Sequence, residues 1–495
     1  MNLANLLHAS ADRWPERPVA TDVRSARSMS YGQLARESRS VAAFLKACGV
    51  EPGQRIGLLA PNGVAYLPAA FGLLEAGACL VPLASNLAQA EIAEIVRDVQ
   101  LNGCLAWSGA DATAVPDGAA RLQGGECDGF TFGWIDRAAR APAEFYRLNA
   151  AFIRFTSGTT ARSKGVVLSH EATAARVEAA DRVLAFTEDD RILWMLPLAY
   201  HFAVTIVAYV RAGSHILLSP DTLPRALVDA TRRRRPSVLY ASPLHFERMG
   251  HLGPSERLAS LRLVLSTSAP ITQAVMDRFE SVYGVPVGQA YGIIECGLPC
   301  INLRTDGVPA TAVGRPVPGY EIAVLSDEGA PLATDAIGEI AVRGRGLFSA
   351  YYAPWQLREQ VARDGWFLTG DLGRLDSAGA LHLKGRKKAV IFVAGLKFFP
   401  EEVEDCINQF PGIKESRVYG RPHARIGEVP CAEVVVDPAG CDLDGLKTYC
   451  ARVLSSYKVP LEFKIVDAVP RTPGGKISRR PARDDDAAPV SVERG

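Results

Sequence analysis

Short apolar runs set apart by helical spacing constrain this chain more than any other feature. Arg55-Ile-Gly-Leu-Leu-Ala60 follows a turn at Glu51-Pro-Gly-Gln54, and Ala78 to Leu83 and Leu261-Arg-Leu-Val-Leu-Ser266 repeat the theme. Ser38 to Lys46 has the spacing of a helix. Apolar strands separated by helices predict a mostly parallel sheet covered by helices. At 495 residues the chain exceeds the ~250–300 at which a single core stops growing, so at least two domains are expected. The most apolar segment, Ala65 to Val81, is interrupted by Pro68, Glu75 and glycines. It reads as a buried helix running into a buried strand, not as a membrane span. Asp376-Ser-Ala-Gly379 reads as a hairpin turn between Gly373-Arg-Leu375 and Leu381-His-Leu383. Beyond Gly385 the pattern changes, and a smaller C-terminal domain is expected to begin near Gly385–Ala389. The polar ending ARDDDAAPVSVERG is expected to be disordered.

Charge excludes more than it suggests. The formal net charge is +1, which gives no global attraction to nucleic acid or to an acidic membrane. The one dense basic run, Arg232 to Arg235, stops at Pro236 and reads as an exposed helix end. The ten cysteines are scattered without metal-site spacing, which fits a reduced, cytoplasmic protein. The opening MNLANLLHASADRWPERP lacks a basic region followed by an unbroken apolar run, so no signal peptide is expected.

The stretch FTSGTTARSKGVVLS, from Phe155 to Ser169, gathers hydroxyls, glycines and a lysine. Glycines let backbone N–H groups turn toward one point, hydroxyls add donors, and the lysine adds a cation. The spacing from Gly158 to Lys164 does not fit the Walker pattern, and glycine follows the lysine instead of preceding it. Composition alone leaves both an anion cradle and a flexible surface loop open. The flanking runs, Ala151-Phe-Ile-Arg-Phe155 and Gly165-Val-Val-Leu168, place the loop between two expected strands, a better position for a functional loop than for a linker.

FTSGTTARSKGV closely resembles the phosphate loop of the acyl-adenylate-forming enzymes, a superfamily of acyl-CoA synthetases, adenylation domains and beetle luciferases. Further resemblances follow in that superfamily's order. Gly288-Gln-Ala-Tyr-Gly-Ile-Ile-Glu295 looks like its adenine-site stretch, and Gly338-Glu-Ile-Ala-Val-Arg-Gly344 like the stretch after it. Gly365-Trp-Phe-Leu-Thr-Gly-Asp-Leu-Gly373 resembles the ribose motif and Gly385-Arg-Lys-Lys388 the interdomain hinge. Gly395-Leu-Lys-Phe-Phe-Pro-Glu-Glu-Val-Glu404 resembles the loop lining the thiol tunnel, and Pro470-Arg-Thr-Pro-Gly-Gly-Lys-Ile-Ser-Arg479 the catalytic-lysine motif. The resemblance spans nearly the whole chain. It implies an α/β fold with a large N-terminal domain of helix-covered, mostly parallel sheets over residues 1–387. A smaller, mobile α+β lid would occupy 388–482 and a tail 483–495.

The resemblance also implies roles. Thr156, Ser157, Gly158, Thr159, Thr160 and Lys164 would hold the β- and γ-phosphates of ATP. Ala290, Tyr291 and Gly292 would form the adenine site, with Tyr291 stacked on the base. Glu295 would take Mg²⁺, a hard ion that prefers oxygen ligands. Asp371 would accept both ribose hydroxyls, and Arg386 would add charge beside ribose and phosphate. Lys476 would reach the charge developing between carboxylate and α-phosphate. Lys388 would be the hinge, and Gly395 would line the tunnel for the thiol of coenzyme A, the expected co-substrate. Tyr200, His201, Phe202, Ser268, Ala269, Gly292 and Gly297 would line the acid's pocket, with His201 gating it. Taken singly, each of these residues has a plainer reading: Asp371 as a turn cap, Tyr291 and His201 as core, Lys476 as a solvated tail residue.

Ala161, Ser163 and Ile294 depart from the pattern, and Ile294 lacks a hydroxyl where the superfamily usually offers one to the α-phosphate. The stretch Leu196 to Val207 carries no acid, so a buried substrate ammonium would lack a partner, which argues against an α-amino acid. The expected activity is ATP-dependent conversion of a fatty or aromatic carboxylic acid to its adenylate, then transfer to coenzyme A. Transfer to a phosphopantetheinyl acyl carrier protein is the alternative. A non-catalytic nucleotide-binding relative and a luciferase-type monooxygenase are remoter ones. A homodimer is left open.

Overall fold

The computed structural model describes residues 1–85, 87, 89–108, 120–123, 127–155, 164–252, 257–304, 307–393, 396–423, 427–438, 440–471 and 477–478. Two nine-stranded sheets dominate. In one, the strands Arg55–Ala60, Cys79–Ala84, Gly103–Trp107 and Ala150–Phe155 form the parallel centre. In the other, Pro18–Asp22, Arg191–Trp194, His215–Leu218, Val238–Ala241, Leu263–Ser266 and Gly288–Ile293 run parallel. Antiparallel strands finish the edges of both sheets, so each is mixed around a parallel middle.

These strands read as unbroken apolar runs because both faces are covered. Every residue of Arg55–Ala60 and Val238–Ala241 is buried. One large apolar core joins the two sheets through Phe71, Phe152, Trp194, Phe202 and Leu239. The apolar segment at Ala65 is the helix Tyr66–Glu75 followed by the strand Cys79–Ala84. Among the described residues no helix is long and apolar enough to cross a membrane.

The helix expected over Ser38 to Lys46 starts earlier and spans Tyr31–Ala47. Ser30 begins it with a capping box: its Oγ accepts Gln33 N–H at 3.2 Å, and Gln33 Oε1 accepts Ser30 N–H at 2.7 Å. The arginine run ends the helix Pro224–Arg234, with Arg235 in the left-handed region (φ 46°) just before Pro236. Arg232 and Arg233 are exposed there.

A four-stranded antiparallel sheet, Tyr320–Leu325, Gly338–Gly344, Phe367–Leu375 and Leu381–Arg386, follows the two large sheets. Its last two strands form the expected hairpin. Asp376 Oδ1 accepts the Ala378 and Ala380 N–H groups at 2.9 Å, and Gly379 takes φ 75°. A final five-stranded sheet and the helices Pro400–Ile407 and Leu443–Val453 enclose a separate small core that includes Ile391, Val403, Val418, Leu446 and Cys450. The tail from 483 lies outside the described residues.

Three histidines, His170 buried and His215 and His245 half-buried, are held in hydrogen bonds within the fold. His170 Nδ1 accepts Leu3 N–H at 3.0 Å, His215 Nε2 bonds Thr21 Oγ1 at 2.8 Å, and His245 Nδ1 bonds Ser242 Oγ at 2.7 Å. Burial, above all, pushes each down to about 4. A depressed histidine pKa means that the unfolded chain binds more protons than the folded one between pH 4 and 6.5, so stability rises with pH across that window. Urea midpoints measured from pH 4.5 to 7 are expected to climb, and His215→Gln to flatten the climb; a flat wild-type profile would contradict the neutral assignments.

Candidate active site

The site is built around one tight turn. The strands Gly288–Ile293 and Gly297–Asn302 pair antiparallel, with Ile293 opposite Gly297, leaving Ile294, Glu295 and Cys296 between them. Gly297 takes φ 77°, and a Cβ on Gly292 would lie 2.0 Å from Gly297 O. Only glycine permits both the turn and this close approach.

A fully buried cation clamps the turn from behind. Arg176, on the helix His170–Leu184, donates to Ile294 O at 2.9 Å, Glu295 O at 3.3 Å and Gly346 O at 3.0 Å. Phe348 N–H adds a bond to Glu295 O at 2.7 Å. The backbone being fixed, the Glu295 side chain is aimed inward. It is 8% exposed, and its Oε1 accepts the Tyr351 hydroxyl at 3.0 Å. Burial and then the Glu295 charge hold the Tyr351 pKa well above that of an ordinary phenol, so Tyr351 remains a donor. Lys164 Nζ sits 4.4 Å from the Tyr351 ring centroid. The end of the loop that begins at 156 therefore meets Glu295 through one shared tyrosine.

A second carboxylate lies across the same strand. Asp371 Oδ2 accepts the Tyr291 hydroxyl at 2.6 Å, and Oδ1 pairs with Arg386 Nε at 2.7 Å. Asp371 and Arg386 face each other across the hairpin ladder. Burial and the Asp371 charge raise the Tyr291 pKa, so its proton stays in this bond. Each carboxylate oxygen keeps acceptor capacity beyond its one partner, which suits a vicinal diol. Thr369 Oγ1 accepts Asp371 N–H at 3.1 Å, and Glu339 Oε1 accepts Gly370 N–H at 3.1 Å. Glu339 also pairs with Lys387, beside the short turn Lys387–Ala389 that contains Lys388.

Of the expected pocket residues, Tyr200, His201 and Phe202 follow one another along one wall. Tyr200 and His201 end the helix Leu198–His201, which continues as the single π-helical turn Phe202–Ile206. The His201 ring packs edge-on to Trp194 and Tyr240, which stack on each other at 5.7 Å. Asn62 secures the wall by bonding Leu196 O at 3.1 Å and Leu198 N–H at 2.8 Å. Ser268 (φ 75°) and Ala269 lie half-buried just past the strand Leu263–Ser266, and Ala290 is buried on Gly288–Ile293. Thr156, Ser157, Gly158, Thr159, Thr160, Ala161, Ser163, Gly395 and Lys476 lie outside the described residues.

Sequence reasoning overlooked Arg176, Thr369 and Tyr351. Nothing local marks them: Arg176 is one arginine in a helix and Tyr351 the first of two adjacent tyrosines. Among the described residues no group of three or more His, Cys, Asp or Glu side chains could cage a metal ion. The buried Glu295 carboxylate does suit Mg²⁺ arriving with a triphosphate, because Mg²⁺ commonly takes one or two carboxylates plus substrate phosphates.

A profile of the AMP-binding enzyme family matches residues 7–352, and one of the AMP-binding enzyme C-terminal domain matches 402–476. The chain is 30% identical to a feruloyl-CoA synthase of an Amycolatopsis species, covering 95% of this chain and 98% of that one. It is 26% identical to a long-chain-fatty-acid–CoA ligase of Escherichia coli O157:H7, covering 98% and 94%. Among solved structures, ATP-bound MatB from Rhodopseudomonas palustris superposes with a TM-score of 0.82 at 26% identity, covering 97% of each chain.

Arg176→Met keeps volume but leaves carbonyls of the turn without donors. It is expected to lower stability by about 1.5–3 kcal/mol, the range for a lost charged hydrogen bond. Chemical denaturation reads this out, and an unchanged midpoint would show that the turn holds itself.

Proposed function

The chain belongs to the AMP-binding enzyme family; it is a ligase that adenylates a carboxylic acid and passes the acyl group to a thiol, and we propose that the acid is fatty or aromatic and the thiol that of coenzyme A. In the first half-reaction an oxygen of the substrate carboxylate attacks the α-phosphorus of ATP, the bond to the β-phosphate breaks, and pyrophosphate leaves. In the second, the thiol sulfur attacks the acyl carbon, the bond to AMP breaks, and the thiol proton goes to solvent. Carboxylate and triphosphate repel each other, so the site must align donors and cations around both.

The observation that carries this reading is a pair of buried carboxylates on two different sheets, Glu295 in the turn after Tyr291 and Asp371 bonded to the Tyr291 hydroxyl. Asp371, held by Tyr291 and Arg386, is suited to the ribose hydroxyls. Glu295, held by Tyr351, is suited to Mg²⁺, which would neutralise phosphate charge. Lys164 beside Tyr351 is in reach of the phosphate side. Thr156 to Thr160 supply the remaining phosphate donors, and Lys476 the cation at the reacting oxygen. For the acid, support comes from the wall. Trp194, Phe202 and Tyr240 are buried apolar or aromatic groups, and the stretch Leu196 to Val207 has no carboxylate for a substrate ammonium. Names of relatives include both a feruloyl and a long-chain fatty acid, which leaves aromatic and fatty acids as the classes to test.

The two-step chemistry asks for two arrangements of one site. Residues 1–387 would form the body and 388–482 a lid that turns about Lys388, with Lys476 present for adenylation and the Gly395 loop present for thiol transfer. The separate small core from Ile391 onward is what such a lid needs. A phosphopantetheinyl carrier protein would use the same thiol route.

Purified protein with ATP, Mg²⁺ and a panel of fatty, aromatic and amino acids, with and without coenzyme A, tests the reading. Acid-dependent pyrophosphate release and a CoA thioester seen by mass are expected for a fatty or aromatic acid, whereas an amino acid as sole substrate would overturn it. Lys476→Ala is expected to abolish adenylate formation while a preformed acyl-adenylate still yields thioester; equal loss of both half-reactions would contradict its role. Ile294→Thr is expected to leave adenylation undiminished, and a large drop would show a pocket rebuilt around isoleucine.

A further inference from the structure

Arg154 lies on the strand Ala150–Phe155, two residues before the loop that begins at Thr156. It is 7% exposed. Its side chain shares a face with Phe152, whose ring packs 6.2 Å from Phe202, so Arg154 points into the space between the two large sheets and not toward solvent. A guanidinium has five N–H donors. Among the described residues this one bonds only the Tyr200 carbonyl, and no carboxylate lies within ion-pair distance of it. The neighbouring cation, Arg176, is itself satisfied by backbone carbonyls and repels Arg154. Tyr66, whose phenol acts on the Arg154 charge, also packs against Phe202, at 6.0 Å, and among the described residues its buried hydroxyl has no partner.

A buried cation without an anion is unfavourable unless a ligand completes it. Burial and Arg176 lower the Arg154 pKa to about 10, which leaves it charged at neutral pH. Glu295 attracts Arg154 without an ion pair to it, and its Oε1 is bonded by Tyr351. The guanidinium bonds the Tyr200 carbonyl on the pocket wall and feels the Glu295 charge, and the ligase reading puts the acid's reactive end beside both groups. Ile294 supplies no hydroxyl there, whereas a guanidinium fork matches a carboxylate with two parallel N–H···O bonds.

We propose that Arg154 and Tyr66 form a buried carboxylate-binding subsite, and that a carboxylate of the acid substrate is the counter-anion this guanidinium lacks. The inference rests on the ligase reading and adds to it a specific acid-binding pair. It makes Arg154 a residue that positions the acid and has no part in holding the nucleotide.

Acid-dependent ATP–pyrophosphate exchange tests it, with octanoate and benzoate and their dicarboxylic counterparts suberate and terephthalate. Arg154→Met is expected to raise the KM for the acid about ten- to hundredfold, as for a lost charged hydrogen bond, while the KM for ATP stays within about twofold. Arg154→Lys should restore part of the loss, and Tyr66→Phe, which removes one hydroxyl, should raise the acid KM about threefold. An equal effect on mono- and dicarboxylic acids identifies the reacting carboxylate as the ligand; an effect confined to the dicarboxylic members identifies a second carboxylate. A folded Arg154→Met or Tyr66→Phe enzyme with an unchanged acid KM, or acid and ATP constants rising together, overturns the subsite. Wild-type exchange with no acid at all would instead count against the ligase reading. In that case the thermal shift produced by octanoate or benzoate alone still decides the subsite, which predicts a shift in wild type that Arg154→Met loses.

Discussion

The Arg176 guanidinium is the contact on which the site's geometry depends. It ties a helix of the first half of the chain to the Ile294–Cys296 turn and to Gly346. Three distant stretches are thus fixed at one point by a charged group with no freedom to move to water. From that point Glu295 is directed inward, and Tyr291, on the strand leading into the turn, reaches Asp371 of the neighbouring sheet through its hydroxyl. A guanidinium that bonds carbonyls and not carboxylates keeps its full charge while holding backbone in place. The same contact therefore shapes the site and puts a buried positive charge behind the turn.

Charged groups of both signs gather there: Arg386 pairs with Asp371, Arg176 holds the Glu295 turn, and Lys164 meets Tyr351. The tyrosines stay neutral donors because burial and the neighbouring carboxylates hold their protons. Tyr291 and Tyr351 each engage one carboxylate oxygen and leave acceptor capacity on it, so the acids are oriented before a ligand arrives. Preorganisation of this kind lets binding avoid reorienting dipoles inside a dry site.

Much of this was legible in the sequence where local chemistry decides. Gly292 and Gly297 were read only as pocket residues, and it took the structure to show that a Cβ at 292 would collide with the Gly297 carbonyl. Asp376 to Gly379 announced a hairpin turn, and its backbone bonds close as such. The start of the helix Tyr31–Ala47 was missed, although Ser30 and Gln33 carry its capping signal. The partners of the site residues were not legible. Tyr351 reaches Glu295 and Arg176 reaches Gly346 across wide chain separations, and no spacing rule spans such distances.

The sequence by itself determined the class of fold, the motif order and the residue types present, because periodicity, turn chemistry and short motifs act over a few neighbouring residues. Only the tertiary structure decided which charges are buried together. Arg154 in a linear reading is one basic residue in an apolar strand. Once the sheets close around it, it is a buried cation whose one partner among the described residues is the Tyr200 carbonyl, since burial and pairing are properties of packing between segments far apart in the chain.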